Sequence, residues 1–233
     1  MKTEAAQLPL AVQLRDDATL ENFLFHGTLG PVRDAIAAQV SADGEPVIYL
    51  YGAADSGRSH LLQAACHERA GGDALYLPLD QLQDIPAADV LADIESLGLV
   101  ALDELDSVAG NPEWEQALFN LFNRARDNDC RLLFSATCAP RQLPVKLPDL
   151  QSRLSWAVVF QLPEADDTDK LHILQFRASR RGMNLGDDAG NYILARASRS
   201  LGELMDILDR LDRDSIVAQR QLSIPFIKSS LGW

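Results

Sequence analysis

Residues 46–59 read PVIYLYGAADSGRS, an unbroken apolar run that leads into a loop with glycines at positions 52 and 57. Unbroken apolar runs of this length are typical of strands that are covered on both faces. The two glycines allow a backbone that turns N–H groups inward, and a helix that begins at the loop adds positive potential. The pattern predicts a phosphate-binding loop over residues 52–59; the alternative is a glycine-containing turn that binds nothing.

The loop predicts a nucleotide, ADP or ATP, as the ligand. Ser59 is expected to offer its hydroxyl to Mg²⁺. Position 58, which normally holds a lysine in such loops, is Arg58, whose larger planar group should keep phosphate binding but change the geometry for hydrolysis. The residues expected to contact the nucleotide here are Gly52, Ala53, Ala54, Asp55, Ser56, Gly57, Arg58, Ser59 and His60.

A second apolar run, in LVALDELD at 99–106, ends in two acids. We expect Asp103 to hold Mg²⁺ through water and Glu104 to polarise an attacking water. Buried strands often end in surface acids, but a pair about 45 residues after a phosphate loop is a much more specific signal. Thr137 follows a further run, where it is either a sensor of the γ-phosphate or an ordinary strand-end hydroxyl.

The runs at 46–51, 74–79, 98–103, 131–136 and 157–162 predict five strands separated by helices. Such alternation indicates an α/β fold with a parallel, doubly wound sheet. One intervening helix has Asn111 as its N-cap and Pro112 at its first position. Beyond residue 163 only helical patterns remain, the first with Thr168 as candidate N-cap, so we expect a small helical subdomain at the end.

The composition limits the class of protein. The net charge of −13 disfavours autonomous DNA binding, which needs a basic surface. We interpret Arg177, Arg180 and Arg181 as a solvated helix face. Three cysteines without CxxC spacing suggest neither disulfides nor a zinc site. With no secretory signal and no apolar run long enough for a membrane span, we expect a cytoplasmic protein.

Four segments together resemble the DnaA family of AAA+ proteins, and within it the regulatory inactivators of replication initiation. The resemblance covers essentially the whole chain and implies an AAA+ domain, a five-stranded parallel sheet followed by a helical lid. It also implies a clamp-binding segment over 1–18, a nucleotide-binding core over 19–163 and a lid over 164–233. The segments are GRSHLLQAAC at 57–66, NPEWEQALFNLFNRARD at 111–127, LPDLQSRLSW at 147–156 and QRQLSIPFIK at 219–228.

Three site assignments come from the resemblance alone. Arg153 matches the family's arginine finger, which acts on a nucleotide held by a neighbouring subunit; a surface salt bridge is the alternative. Phe23, in TLENF at 19–23, matches a stretch that passes close to the base, although it could equally be ordinary packing. The segment QLPL, which comprises Gln7, Leu8, Pro9 and Leu10, resembles the peptide that docks on the sliding clamp of DNA polymerase III. We expect the similar QLSIPF at 221–226 instead to start a last short helix.

Departures from the family pattern refine the expected function. The initiator's phosphate-contacting lid arginine falls on Gly202, which together with Arg58 predicts weak intrinsic ATP turnover and retention of a diphosphate. The chain stops shortly after the lid, so the initiator's DNA-binding domain is expected to be missing.

The leading hypothesis is an ADP-bound, clamp-docked regulator that promotes hydrolysis of DnaA-bound ATP and so prevents reinitiation. An adaptor that recruits a partner without driving hydrolysis, and a self-contained ATPase, are the alternatives; whether the free protein is a homodimer stays open.

Overall fold

A single parallel sheet organises the first two thirds of the chain. The computed structural model describes residues 14–41, 43–69, 72–198, 200–218 and 222–233. The strands run in the order β2-β3-β4-β1-β5, and every neighbouring pair is parallel, as predicted. All five predicted strands are confirmed, each within one residue at either end. They are β1 Val47–Tyr51, β2 Ala74–Pro78, β3 Leu99–Asp103, β4 Arg131–Ala136 and β5 Val158–Gln161.

Helices cover both faces of this sheet. Side chains alternate along β1, so that Tyr49 packs into one apolar cluster while Ile48 and Leu50 pack into the other. Because both faces are buried, the strands are continuously apolar, as the sequence indicates. The core helices are α1 Gly30–Val40, α2 Arg58–Glu68, α3 Leu79–Leu82, α4 Ala87–Val90, α5 Pro112–Asp127 and α6 Pro148–Leu154.

The longest core helix, α5, begins as predicted. The side chain of Asn111 accepts hydrogen bonds from the backbone N–H groups of Glu113 and Trp114, and Pro112 occupies the first turn. Its apolar stripe, Trp114, Leu118, Leu121 and Ala125, is buried in the core cluster on that face of the sheet. Local capping and amphipathic spacing therefore suffice to fix both the start and the orientation of this helix.

Within the described ranges, four further helices form the lid region around a separate apolar cluster. The first of them does not start at Thr168 as predicted. Asp166 is the N-cap, and its side chain and that of Asp169 each bond the other residue's backbone N–H in a capping box, which satisfies two donors instead of one. Ser223 caps the last helix, which confirms that prediction. The lid helices are α7 Asp167–Arg180, α8 Asp187–Leu194, α9 Leu201–Ala218 and α10 Ile224–Leu231. None of the helices in the described ranges is both long and apolar enough to cross a membrane.

Candidate functional site

The loop over 52–59 joins the carboxyl end of β1 to α2 and depends on its two glycines. A Cβ atom on Gly52 would lie 2.7 Å from the carbonyl oxygen of Leu162, and one on Gly57 would lie 2.6 Å from Cε2 of Phe23. Gly57 also has φ of +89°, a conformation that L-residues with side chains rarely adopt. The close approaches leave no room for a side chain at either position. At Gly57 the positive φ further disfavours any residue other than glycine.

The remaining loop residues divide between solvent and the interior. Ala53, Ala54 and Asp55 are exposed, and Asp55 accepts a hydrogen bond from the backbone N–H of Leu201 at the start of α9 (N to Oδ2 3.2 Å). That N–H belongs to the first turn of a helix, where a nearby carboxylate is favourable. The buried hydroxyl of Ser56 has no hydrogen-bond partner within the described part of the chain.

A cavity of about 390 Å³ opens between the loop and the lid. Its walls bring together the loop, the segment before α1, the acid after β3 and two helices of the lid region, α7 and α9. The cavity contains several residues that the sequence predicts for the nucleotide site. Among its lining residues are Phe23, Ala54, Asp55, Ser56, Gly57, Arg58, Ser59, His60, Glu104, Ile173, Arg177, Leu201, Gly202 and Met205.

Arg58 and Glu104 meet beside this cavity. Arg58 is only 6% exposed, and its Nη2 donates to Oε1 of Glu104 at 3.1 Å, whereas its Nη1 is buried without a partner in the described ranges. Partial burial raises the pKa of Glu104, and Arg58 opposes that rise. Glu104 itself adopts a left-handed backbone conformation with φ of +55°. The two side chains that the sequence assigns to phosphate and to water are thus bonded to each other.

Asp103 is enclosed by two hydroxyls that the sequence analysis missed. It is 1% exposed; Tyr76 donates to its Oδ2 at 2.6 Å, and Ser135 donates to its Oδ1, which also accepts from the backbone N–H of Glu104 at 3.1 Å. Burial beside this carboxylate raises the pKa of Tyr76, so its hydroxyl stays protonated and donates. One feature of the sequence could have indicated them, because Tyr76 in β2 and Ser135 in β4 each place a hydroxyl within an otherwise apolar strand.

Phe23 and His60 pack together below the loop. Their ring centroids lie 5.5 Å apart, and Phe23 also contacts Phe25. Nε2 of His60 lies 2.9 Å from the carbonyl oxygen of Thr19, so this nitrogen carries a hydrogen and donates it. Burial lowers the pKa of His60 to about 4. Phe23 lines the cavity and also serves as core packing, so both of its predicted roles remain compatible with its position.

The prediction that the lid arginines form a solvated helix face is wrong for Arg177. It is 6% exposed, it forms an ion pair with Asp17, and its Nη1 donates to the carbonyl oxygen of Asn22 at 3.0 Å. Burial would raise the pKa of Asp17, but Arg15 and Arg177 together lower it. Arg180 pairs with Glu21 at 2.6 Å in an exposed position. The arginines therefore attach α7 to the segment before α1, with Arg177 in the cavity wall.

Thr137 is not among the described residues that line the cavity. Its backbone N–H donates to Oδ1 of Asp106 at 3.0 Å, and its hydroxyl donates to Oδ2 of the same carboxylate at 3.2 Å. Both groups are thus engaged in joining the end of β4 to the turn after β3. This geometry agrees with the plain strand-end interpretation of Thr137.

Arg153 lies at the other end of the sheet, on α6. Its Nη2 donates to Oδ1 of Asn123 at 3.2 Å, and its Cζ stacks 4.2 Å from the ring centroid of Trp156, which is 67% exposed. Both residues line an apolar groove with Pro46 and Val47, at the start of β1. The phosphate loop follows the end of that strand. Arg153 is therefore separated from the cavity by the length of the sheet.

Two further predictions concern the clamp-binding segment and a metal ion. The segment Gln7, Leu8, Pro9 and Leu10 lies outside the described residues. Within the described ranges, no group of three or more His, Cys, Asp or Glu side chains is placed to hold a metal ion.

Comparisons with known proteins agree with this architecture. The family model for the Hda lid domain matches residues 167–231. An uncharacterised protein of Haemophilus influenzae is 42% identical over 228 residues, which cover 97% of this chain and 98% of the relative.

Solved structures give the same fold. Domain III of the Thermotoga maritima replication initiation protein DnaA matches with a TM-score of 0.73 at 18% identity, over 95% of this chain and 98% of that one. AMPPCP-bound DnaA from Aquifex aeolicus matches with a TM-score of 0.69 at 21% identity, over 84% and 65%. The Thermotoga maritima RuvB branch migration motor matches with a TM-score of 0.66 at 17% identity, over 92% and 71%. With its AAA+ core and its Hda-type lid, the chain belongs to the Hda-like, DnaA-homologous family of AAA+ proteins.

Proposed function

We propose that the cavity between loop and lid binds ADP or ATP. The phosphates would lie against the N–H groups of residues 52–59 and the positive end of α2, where anions are favoured. Two buried polar atoms, Nη1 of Arg58 and Oγ of Ser56, lack protein partners in the described ranges and suit phosphate oxygens. The glycine positions admit no Cβ, as expected where the backbone must curve closely. That one DnaA structure contains AMPPCP supports the same assignment.

The site favours retention of nucleotide over turnover. Glu104, the candidate for polarising a water, is paired with Arg58 instead. Gly202, which lines the cavity, has no side chain to reach a phosphate. A hydrolytic site needs preorganised groups aimed at the attacking water and at the developing charge, and both positions are compromised here. The bound nucleotide would then serve to hold core and lid together.

The residues expected around Mg²⁺ fit that ion poorly. Three donors already surround the Asp103 carboxylate, from Tyr76, Ser135 and the Glu104 backbone. Ser59 still offers a hydroxyl at the first turn of α2 beside the cavity. We therefore assign no step to a divalent cation at this site.

The activity that the geometry supports best is stimulation, in trans, of ATP hydrolysis on DnaA. The observation that carries it is the position of Arg153 at the opposite end of the sheet from the chain's own loop. The five residues of β1 alone span about 16 Å, which is beyond the reach of one side chain. No carboxylate of the described residues forms an ion pair with Arg153, and Asn123 and Trp156 hold its guanidinium in place. Such a group is preorganised for phosphates on a partner.

Two partner proteins, DnaA and the sliding clamp, are part of the proposed function. DnaA, which carries the ATP, would dock against the α6 end of the core, and the segment Gln7–Leu10 would hold the protein on the DNA polymerase III sliding clamp. Together these contacts would limit reinitiation of replication. The net charge of −13 fits a protein that reaches DNA through the clamp rather than by direct contact. A homodimer of the free protein is compatible with the same surfaces.

The test is hydrolysis of DnaA-bound ATP in the presence of DNA-loaded clamps. Arg153→Ala should lower the stimulated rate by about 10³-fold, the usual effect of losing an arginine finger, while ADP and clamp binding stay at wild-type levels. Arg33→Ala, which removes an exposed arginine on α1, is the matched control and should stimulate normally. Full stimulation by Arg153→Ala would reject the finger. Binding of the wild-type protein to DnaA and the clamp without any stimulation would instead favour the adaptor function.

A further inference from the structure

Both acids at the end of β3 are already bonded within the protein. Asp103 is bonded to Tyr76 and Ser135, and Glu104 is bonded to Arg58. In a phosphate-loop site such acids would normally face the hydrated cation that accompanies the nucleotide. Because these acids are bonded within the protein, another group must balance the negative charge of the phosphates.

The lone pairs of Asp103 leave little capacity for a cation's water. A carboxylate offers about four acceptor positions, and the two hydroxyls and the Glu104 N–H occupy three. At 1% exposure the group is also closed to solvent. Mg²⁺ keeps several waters and requires near-octahedral geometry. With about one acceptor position left in a closed site, its hydration shell would reach Asp103 only by displacing a bonded group such as the Tyr76 hydroxyl. That exchange breaks a buried hydrogen bond to an ionised group, which is among the stronger kinds.

Arg58 supplies the missing positive charge. Its guanidinium is fixed by Glu104 through Nη2, while the buried Nη1 points to no described partner beside the loop. A guanidinium has a rigid fork of donors that matches phosphate oxygens and keeps its charge at all accessible pH values. Because Arg58 is almost fully buried, its interaction with a phosphate would be weakly screened.

We infer that this protein holds a nucleoside diphosphate without needing a divalent cation, with Arg58 in the place of the metal and with Tyr76 closing Asp103 to it. The inference rests on the proposed nucleotide site. It extends that proposal by specifying how the phosphate charge is balanced.

The first experiment titrates ADP into the purified full-length protein by calorimetry, in excess MgCl₂ and in excess EDTA. The two dissociation constants should agree within about threefold. Binding that is more than about tenfold weaker in EDTA would overturn the inference but leave the nucleotide site intact. An absence of ADP binding in both buffers would instead refute the proposed site, and the inference with it.

Variants then test the role of Tyr76. Tyr76→Phe keeps the ring and removes the hydroxyl, so ADP should bind about tenfold more tightly with magnesium than without it. Ser135→Ala, which frees the other carboxylate oxygen, should shift binding in the same direction. Tyr51→Phe is the matched control, because its hydroxyl lies at the sheet surface, 3.2 Å from Oε1 of Gln161.

The variants must first match the wild type in circular dichroism. If folded Tyr76→Phe and Ser135→Ala both bind ADP with no response to magnesium, Tyr76 and Ser135 do not exclude the cation and that part of the inference is rejected.

Discussion

The guanidinium of Arg177, on the first lid helix, forms an ion pair with the carboxylate of Asp17, which lies 160 positions earlier in the chain. The same arginine donates to the carbonyl oxygen of Asn22. One side chain thus ties α7 to the segment before α1, which also carries Phe23 beneath the phosphate loop. The lid orientation is therefore coupled to the N-terminal segment that leads to the proposed clamp-binding residues.

Arg177→Met should lower the free energy of unfolding by about 2 to 3 kcal/mol, because it removes the more buried of the two arginines that bond Asp17, and the donor to the carbonyl oxygen of Asn22, while keeping the aliphatic volume. Urea denaturation measures the change. Arg180→Met on the same helix is the control. Its pair with Glu21 is exposed, so the loss should stay below about 1 kcal/mol. Equal losses in the two variants would show that the buried pair has no special weight.

His60 should make stability depend on pH. Burial lowers its pKa from 6.5 to about 4 in the folded protein, so between these values the unfolded chain binds more protons than the folded one. Stability contributed by the neutral imidazole is full above pH 6.5 and decreases as the pH falls toward 4. From pH 7 to pH 5 the wild type should lose about 1 to 2 kcal/mol through this residue.

Chemical denaturation across this pH range, with His60→Gln for comparison, isolates the contribution. The variant should have a flatter profile, whereas His67→Gln, which alters an exposed histidine, should follow the wild type. Parallel profiles for wild type and His60→Gln would contradict the assigned burial.

Gly57 should tolerate alanine less well than Gly27. Both have positive φ, +89° and +55°, so alanine strains the backbone at each position by about 1 to 2 kcal/mol. At Gly27 no atom lies within 4 Å of the added methyl, whereas at Gly57 it meets the Phe23 ring at 2.6 Å. Overpacking should add about 1 to 3 kcal/mol there.

Urea midpoints of Gly27→Ala and Gly57→Ala measure the difference. A Phe23→Leu background should reduce the extra cost at Gly57 because it removes the contacting ring edge, with little effect on the cost at Gly27. If the two glycine substitutions cost the same, the close packing of Phe23 under the loop is not what the structure indicates.

Local patterns predicted most of the architecture. Continuous apolar runs identified all five strands because both faces of the sheet are covered. Asn111 and Ser223 identified two helix starts because capping depends on residues within one turn. The predicted start of α7 was wrong, also because of local capping. Asp166 and Asp169 satisfy two donors between them, so the reciprocal cap prevails over the single hydroxyl of Thr168.

The polar network around the loop was less accessible to sequence reasoning. Tyr76 and Ser135 look like ordinary members of apolar strands, and only the pairing of β2 and β4 with β3 brings their hydroxyls to Asp103. Arg177 has the sequence context of a solvated helix face, yet docking of the lid buries it against Asp17. A residue's partners across the fold are set by packing, which the periodicity of one segment does not encode.

The sequence by itself determined the order of strands and helices, the glycine-dependent loop at 52–59 and the presence of a helical lid, since each depends on short-range periodicity, capping and glycine placement. Only the tertiary structure decided that Arg58 bonds to Glu104, that Tyr76 encloses Asp103 and that Arg153 faces away from its own loop. Those relationships arise where strands distant in sequence end at one edge of the sheet or the other, because the energy of a buried charge depends on which donors the fold brings within hydrogen-bonding distance.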